Sequence, residues 1–301
     1  MDIFMEIGGY RVSLKEPMDR QCFIWPNKRF EPFLTPRSGY SDITITVRIT
    51  KTLPTLNKGE LIFDSGVGLW KLYDNASDGF LIESCLPGSG RLLSQSKVSR
   101  DFSSIQATLR EVRPKNSTRT GWTPNNFLNP ILETVLQLKL AREGGVILHS
   151  SAVLTGEEAL LFCGPSGAGK STIADFFLDR GYTVLNDERV IIRKTNNDFT
   201  AFGTPWTGSS DLFCNRHGKL KNLFLLRQGQ TSHEINQVSQ PQMIAALMQQ
   251  TYLPYWDAVG MSRIADFFQE ITETRGCLGL SFVKSPDVVD FLNEKFLAHT
   301  R

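Results

Sequence analysis

Short runs of alternating apolar and polar residues fill the first 120 residues of the chain. Segment 42–49 alternates strictly, so that its four β-branched apolar residues share one face, as in a half-buried strand. Turn-forming Asn, Asp and Gly residues separate the further short apolar runs, at 61–63, 69–73 and 79–83. This pattern predicts a β-rich domain over residues 1–120.

The pattern changes in residues 121–145, which are predicted to be a linker and a connecting helix. Segment 115–130 is polar and contains two prolines and a glycine, a composition typical of a domain boundary. Segment 127–142 then carries a broad apolar face at helical spacing, and Gly144 follows it as a stop signal.

Strands and helices alternate in residues 146–301, which are predicted to form the second domain. Segment 146–153 is predicted to be one strand, and the tight turn 155–158 joins it to a second apolar strand at 159–163. A tight turn joins antiparallel neighbours, so these two strands should pair antiparallel. The predicted fold class is therefore α/β with a mixed, α+β type of sheet. Further helices are predicted to start at Ser239 and at Ser285.

A glycine-rich motif, G-x-x-x-x-G-K-S, follows the second of these strands and opens a helix. Its glycines let backbone N–H groups converge on an anion, and the helix N-terminus adds positive potential. The motif predicts a phosphate-binding loop for ATP, with Lys170 reaching the β- and γ-phosphates and Ser171 on Mg²⁺. The predicted nucleotide-binding residues are Gly164, Pro165, Ser166, Gly167, Ala168, Gly169, Lys170, Ser171 and Thr172.

Composition and charge narrow the classes of partner. The net charge of +2 and the absence of a concentrated basic face with aromatic residues argue against nucleic acid as a partner. No apolar run approaches the roughly 20 residues of a membrane span, and the first residues do not look like a signal peptide. Five scattered cysteines without a C-x-x-C pair are typical of reduced thiols. A cytoplasmic protein is expected.

Two adjacent acids, Asp187 and Glu188, follow an apolar strand about 16 residues after Ser171. That interval accommodates one helix and one strand, so the acids can return to the phosphate-binding end of the sheet. Chemistry on Mg-bound nucleotide needs a carboxylate for the metal and often a second to orient the nucleophile. Asp187 is assigned to the metal and Glu188 to the base, and the exchange of these roles stays open.

Segment 149–190 resembles the catalytic domain of HPr serine kinase/phosphorylase, whose nucleotide fold is related to that of phosphoenolpyruvate carboxykinase. The resemblance rests on His149-Ser-Ser-Ala-Val, the glycine-rich motif and Arg180-Gly-Tyr-Thr-Val-Leu-Asn-Asp-Glu-Arg189-Val. It implies a kinase that transfers phosphate to a serine of a protein or peptide, with His149 at the active site. A buried strand histidine is the alternative for His149. Members of this family are often oligomers, which leaves a homo-oligomer open.

The sequence departs from that family at two places. The second acid is Glu188 where the family has Asp, which moves a carboxylate by about 1 Å. The downstream family signature is also absent, and residues 202–208 stand in that region, either as a lining of the acceptor site or as a packed turn. HPr itself is therefore a doubtful substrate, and a small-molecule hydroxyl stays open as the acceptor.

Two functions remain compatible with the sequence. The first is a kinase in which Lys170 and a neighbouring arginine, first Arg189 and then Arg216, neutralise charge that develops on the transferred phosphate. The second is an ATP-binding regulatory module with little turnover. The sequence lacks the guanine-binding N-K-x-D motif and the L-S-G-G-Q run, which argues against a GTPase and a transporter ATPase.

Overall fold

The computed structural model describes residues 2–15, 28–37, 39–66, 69–86, 90–111, 128–208, 210–229 and 231–297. The chain divides into two units, Met1–Lys139 and Leu140–Arg301. Each unit contains its own mixed β-sheet, so the fold is mixed α/β. Residues 112–127, which include most of the predicted linker, lie outside the described residues.

The first unit is built on one eight-stranded sheet in the order β1-β2-β3-β8-β7-β6-β5-β4. Two neighbouring pairs, β2 with β3 and β3 with β8, are parallel, and the other pairs are antiparallel. The strictly alternating segment forms β3, and its residues Ile43, Ile45 and Val47 are buried, as the pattern predicted. The strands are β1 (Ile3–Ile7), β2 (Tyr10–Lys15), β3 (Ile43–Thr50), β4 (Glu60–Asp64), β5 (Trp70–Asp74), β6 (Phe80–Cys85), β7 (Leu92–Val98) and β8 (Ser104–Arg110).

A buried carboxylate lies on β6, the third strand from the β4 edge of this sheet. Glu83 on β6 is 4% exposed, and its oxygens accept hydrogen bonds from Lys58 Nζ at 2.9 Å, Gln95 Nε2 at 2.9 Å and the Tyr73 hydroxyl at 3.2 Å. A buried charge is tolerated when it is paired and hydrogen-bonded, and here both conditions hold.

The second unit contains a nine-stranded sheet. Seven strands follow the order β12-β10-β11-β15-β14-β13-β9, and β17 joins β15 on one side and β16 on the other. The strands are β9 (Gly145–Leu148), β10 (Ser151–Thr155), β11 (Glu158–Cys163), β12 (Thr183–Asn186), β13 (Val190–Thr195), β14 (Asp198–Phe202), β15 (His217–Gln228), β16 (Glu234–Gln237) and β17 (Leu278–Phe282). The α-helices are α1 (Glu133–Glu143), which contains the boundary between the units, α2 (Lys170–Asp179), α3 (Gln240–Gln249), α4 (Ala258–Arg275) and α5 (Val288–Leu292).

The hairpin before the glycine-rich motif is present, but the single strand predicted over 146–153 is wrong. Strand β10 pairs antiparallel with β11 across the tight turn, as predicted, whereas β9 pairs with β13. His149 and Ser150 lie between β9 and β10 and belong to neither strand. The N–H of His149 donates to the Gln250 carbonyl at 2.8 Å, outside either strand ladder.

Strands β10 and β11 are buried on both faces. Leu161 and Cys163 belong to an apolar cluster that includes residues of α3 and α4, and Leu160 and Phe162 belong to another that includes residues of α2 and α5. A strand covered on both sides is expected to be almost wholly apolar, which accounts for the uninterrupted run at 159–163. Burial raises the pKa of the Cys163 thiol to about 12.

Helix boundaries were predicted less accurately than helix positions. Helix α3 begins after Ser239, as predicted, and Gln242 completes a capping box there. Helix α1 begins at Glu133, later than predicted, because a π-helical turn, Leu128–Leu132, with the non-helical Asn129 before Pro130, precedes it. The final helix begins at Val288 and not at Pro286, since a turn precedes it. Within the described residues, no helix is long and apolar enough to cross a membrane.

Candidate nucleotide-binding site

The loop between β11 and α2, residues 164–169, is held in a conformation that requires glycine. Gly164, Gly167 and Gly169 have φ angles of 154°, 81° and 102°. These lie in the region that residues with a Cβ adopt only under strain. A Cβ on Gly169 would also lie 2.6 Å from Cζ of the buried Phe282. The spacing of the glycines in the motif therefore matches the positions where the backbone needs them.

Lys170 is the first residue of α2, and its side chain folds back into this loop. It is 7% exposed, and its ammonium donates to the carbonyl of Gly164 at 2.8 Å and to that of Pro165 at 3.3 Å. Burial lowers the pKa of Lys170, and the charge of Glu188 opposes that shift. The ammonium therefore lies within the loop, close enough to the second acid to respond to its charge.

The two acids directly follow β12, and Asn186 at its end fixes their backbone. The side-chain oxygen of Asn186 accepts the N–H groups of Glu188 and Arg189, each at 2.7 Å. Its amide nitrogen donates to the carbonyls of Thr204 at 2.9 Å and Trp206 at 3.1 Å. Asn186 is completely buried. One side chain thus sets both the turn that presents the acids and the position of the loop after β14.

Asp187 is a buried carboxylate, and only one of its two oxygens accepts a hydrogen bond from the described residues. The residue is 3% exposed, and Oδ2 accepts a hydrogen bond from the Ser210 hydroxyl. Oδ1 is buried and has no hydrogen-bond partner among the residues that the structure describes. A buried carboxylate oxygen in that state is costly unless a cation or a water binds it. The oxygen is therefore available to a cation.

Helix α2 has further side-chain oxygens near its N-terminus. Ser171 is exposed there, and Asp175 lies four residues later, on the same face of the helix. Burial raises the pKa of Asp175, and the charge of Asp187 raises it further, which places these carboxylates near each other. Mg²⁺ prefers oxygen ligands and is usually held by one or two carboxylates with phosphate oxygens and water. Asp187 and Ser171 are the residues that would hold it.

No group of three or more His, Cys, Asp or Glu side chains capable of holding a metal ion occurs within the described ranges.

Glu188 is held between a histidine and an arginine. Its Oε2 lies 3.3 Å from Nε2 of His149, and its Oε1 lies 2.8 Å from the Arg189 guanidinium. All three side chains are about a third exposed. Burial lowers the pKa of His149, and the Glu188 carboxylate counteracts this. A Cβ on Gly208 would lie 3.1 Å from Oε2, so the loop after β14 also reaches Glu188.

Most of the residues that the sequence singled out lie at this one end of the sheet. His149 and Arg189 each contact Glu188, and the charges of Glu188 and Arg189 affect the pKa of Lys170. Arg216 lies elsewhere. Its guanidinium donates at 2.9 Å to the hydroxyl of Thr183, the first residue of β12, whereas the acids follow the last residue of that strand.

The stretch 202–208 combines features of both predicted alternatives. Thr204 and Trp206 are buried, with exposures of 0% and 3%, as in a packed turn. Gly208, by contrast, adjoins the carboxylate of Glu188.

Several residues of this site were not predicted from the sequence. Asn186 carried a local signal, since an Asn followed by two polar residues favours a side-chain-capped turn. Ser210 and Phe282 carried none, because they reach the site from segments 23 and 113 residues away in sequence from Asp187 and Gly169, respectively.

The chain was also compared with known proteins. No protein-family model matches it, and no curated protein matches it. Among solved structures, it is similar to the Hpr(Ser) kinase/phosphatase from Coxiella burnetii, with 11% sequence identity and a TM-score of 0.28. The match covers 50% of this chain and 94% of that chain. The relationship between the two structures is distant.

Proposed function

We propose that this chain is an ATP-dependent kinase that transfers the γ-phosphate of ATP to a hydroxyl group, on a nucleotide fold of the HPr kinase type. The observation that carries the proposal is the pairing of two features at one end of the sheet. The first is a glycine-rich loop with the buried Lys170 inside it. The second is the acid pair, in which Asp187 keeps a buried oxygen that receives no hydrogen bond from the described part of the chain.

The loop and the start of α2 would bind the triphosphate. Backbone N–H groups of residues 166, 167, 169 and 170 and the N-terminus of α2 supply positive potential for phosphate oxygens. An ammonium has three N–H donors, and Lys170 uses two of them on the loop carbonyls, which leaves one for a phosphate oxygen. Mg²⁺, when bound by Asp187 and Ser171, would neutralise charge on the β- and γ-phosphates.

Glu188 would orient the acceptor hydroxyl and accept its proton. It is partly exposed, whereas Asp187 is buried, so an acceptor can reach Glu188 more easily. His149 and Arg189 hold the two oxygens of Glu188, which fixes the direction of the carboxylate. In this arrangement His149 is a positioning residue, and Arg189 is a cation close enough to the acids to stabilise charge during transfer.

The acceptor is proposed to be a serine of a protein or peptide, on the basis of the resemblance of segment 149–190 alone. The β-rich first unit would then recognise the acceptor or a partner protein. A small-molecule hydroxyl is the other acceptor class, and a labelling assay with both classes separates the two.

An ATP-binding regulatory module with little turnover is the second candidate. The specific observation in its favour is that both oxygens of Glu188 already have cationic or hydrogen-bonding neighbours in His149 and Arg189. An acceptor hydroxyl would therefore have to share an oxygen of Glu188 with His149 or Arg189.

Phosphate transfer from γ-labelled ATP tests the proposal. The purified chain is incubated with Mg²⁺, labelled ATP and either a serine-containing peptide library or a panel of small hydroxyl compounds. A kinase labels one class, and Glu188→Gln reduces labelling by at least about 100-fold, the usual contribution of a general base. Tight ATP binding without Glu188-dependent labelling supports the regulatory module. Full labelling by Glu188→Gln contradicts the assignment of the base.

A further inference from the structure

The described residues of the loop between β14 and β15, 203–208 and 210–216, are anchored on both sides of the tip residues Gly208 and Ser210. On one side Asn186 binds the carbonyls of Thr204 and Trp206. On the other side the N–H of Cys214 donates to the Leu185 carbonyl at 3.1 Å. The base of the loop is therefore fixed to β12, and its tip is held over Asp187 and Glu188.

The tip places one hydroxyl on the acid pair. Ser210 Oγ donates a hydrogen bond to Oδ2 of Asp187, and this is the only hydrogen bond that the Asp187 side chain makes within the described part of the chain. Without that bond, the carboxylate could rotate about its Cβ–Cγ bond, a torsion with broad minima. The bond therefore fixes the orientation of the carboxylate, in which one oxygen accepts a hydrogen bond from Ser210 and the other remains available to a cation.

We propose that Ser210 is a positioning residue that holds the Asp187 carboxylate so that Oδ1 is free to bind the divalent cation of the nucleotide complex. The inference rests on the proposed function and adds a residue to its metal site. Carboxylates that bind metals are usually hydrogen-bonded by a neighbouring group, which fixes their orientation. Loss of such a group typically lowers metal affinity or activity by about 10- to 100-fold.

The burial of Asp187 explains why the orientation matters. In water a misdirected carboxylate would be hydrated again, but at 3% exposure it cannot be, so a carboxylate turned away from Ser210 would leave both of its buried oxygens without a partner. A neutral hydroxyl donor suits this position, because a lysine or arginine there would compete with the cation for the same charge.

The test separates the contribution of the cation from the rest of nucleotide binding. Calorimetry measures the dissociation constant of ATP twice, once with Mg²⁺ and once with EDTA, for the wild type and for Ser210→Ala. Ser210→Thr keeps the hydroxyl. Ser232→Ala is the matched control, since Ser232 also donates to a carboxylate, that of Glu234 at 2.9 Å. Circular dichroism verifies that each variant is folded.

We expect Ser210→Ala to weaken Mg·ATP binding about tenfold while the affinity in EDTA is unchanged. Ser210→Thr and Ser232→Ala should behave as the wild type does. Equal loss with and without Mg²⁺, or no loss at all, overturns the role of Ser210 and leaves the proposed function standing. A wild type that binds ATP no better with Mg²⁺ overturns both. Phosphate on Ser210 after incubation with Mg·ATP also overturns the inference, because the hydroxyl would then be an acceptor.

Discussion

Replacing Gly169 with alanine tests whether the loop geometry depends on that glycine. Its φ of 102° is unfavourable for any residue with a Cβ, and we assign about 1–2 kcal/mol to that strain. The new Cβ would also lie 2.6 Å from Cζ and 3.1 Å from Cε1 of Phe282. Phe282 is 1% exposed and belongs to the apolar cluster around α2, so the ring cannot move freely. Overpacking of this kind adds about 1–3 kcal/mol.

Gly181→Ala is the matched control for the effect of backbone strain. Gly181 follows α2 with a φ of 81°, and no neighbouring atom of the described chain lies within 4 Å of an added Cβ. Gly181→Ala should therefore lower the free energy of unfolding only through backbone strain, by about 1–2 kcal/mol. Because the chain has two units, urea unfolding is followed by hydrogen exchange in peptides of the second unit.

We expect Gly169→Ala to lower the free energy of unfolding of the second unit by about 2–5 kcal/mol, the sum of both contributions, and Gly181→Ala by about 1–2 kcal/mol. The first variant should also weaken ATP binding at least about tenfold, since the start of α2 must shift, and the second should not. Equal unfolding free energies for the two variants, with intact ATP binding, would refute the contact with Phe282 and the reasoning about the loop.

Two further predictions concern the first unit. Glu83→Ala should destabilise it by about 2–4 kcal/mol, because the amide of the buried Gln95 loses its carboxylate partner. Lys58→Ala should cost about 3 kcal/mol or more, because the buried Glu83 carboxylate would be left without its cation; urea unfolding of both variants checks this. The pKa of Asp101 is lowered from 3.8 to about 2 by the hydroxyls of Ser99 and Ser103 and the Ser103 N–H. A lowered carboxyl pKa stabilises the fold above about pH 4, and that stabilisation is lost as the pH falls towards 2. The difference in stability between wild type and Asp101→Asn should therefore shrink across this window, and a difference that stays constant would contradict the hydrogen-bonding account.

Local patterns were sufficient for the parts of the second unit in which neighbours in sequence are neighbours in space. The hairpin of β10 and β11 followed from the length of its turn, and the start of α3 followed from its capping residues. The glycines of the motif matched backbone conformations that only glycine adopts easily. These features depend on short stretches of chain, whose conformational preferences are visible in the sequence.

Features that depend on distant segments were not predicted. The break between β9 and β10 arises because Leu148 pairs with Val190 and Ala152 pairs with Leu161, a choice of partners that periodicity does not encode. Ser210 reaches Asp187 only because the intervening strands β13 and β14 return the chain to the end of β12. Arg216 was a candidate cation by sequence proximity, yet the topology directs it to the start of that strand.

Calorimetric titration of the purified chain with ATP in the presence of Mg²⁺ tests the central claim, which is that residues 164–172 bind a triphosphate. Lys170→Ala removes the ammonium from the loop, and Lys194→Ala is the control, since Lys194 forms an ion pair with Glu270 elsewhere in the same unit. We expect one ATP per chain, at least about tenfold weaker binding for Lys170→Ala and unchanged binding for Lys194→Ala. No heat of ATP binding, or equal affinity in the wild type and Lys170→Ala, would contradict the assignment of this loop.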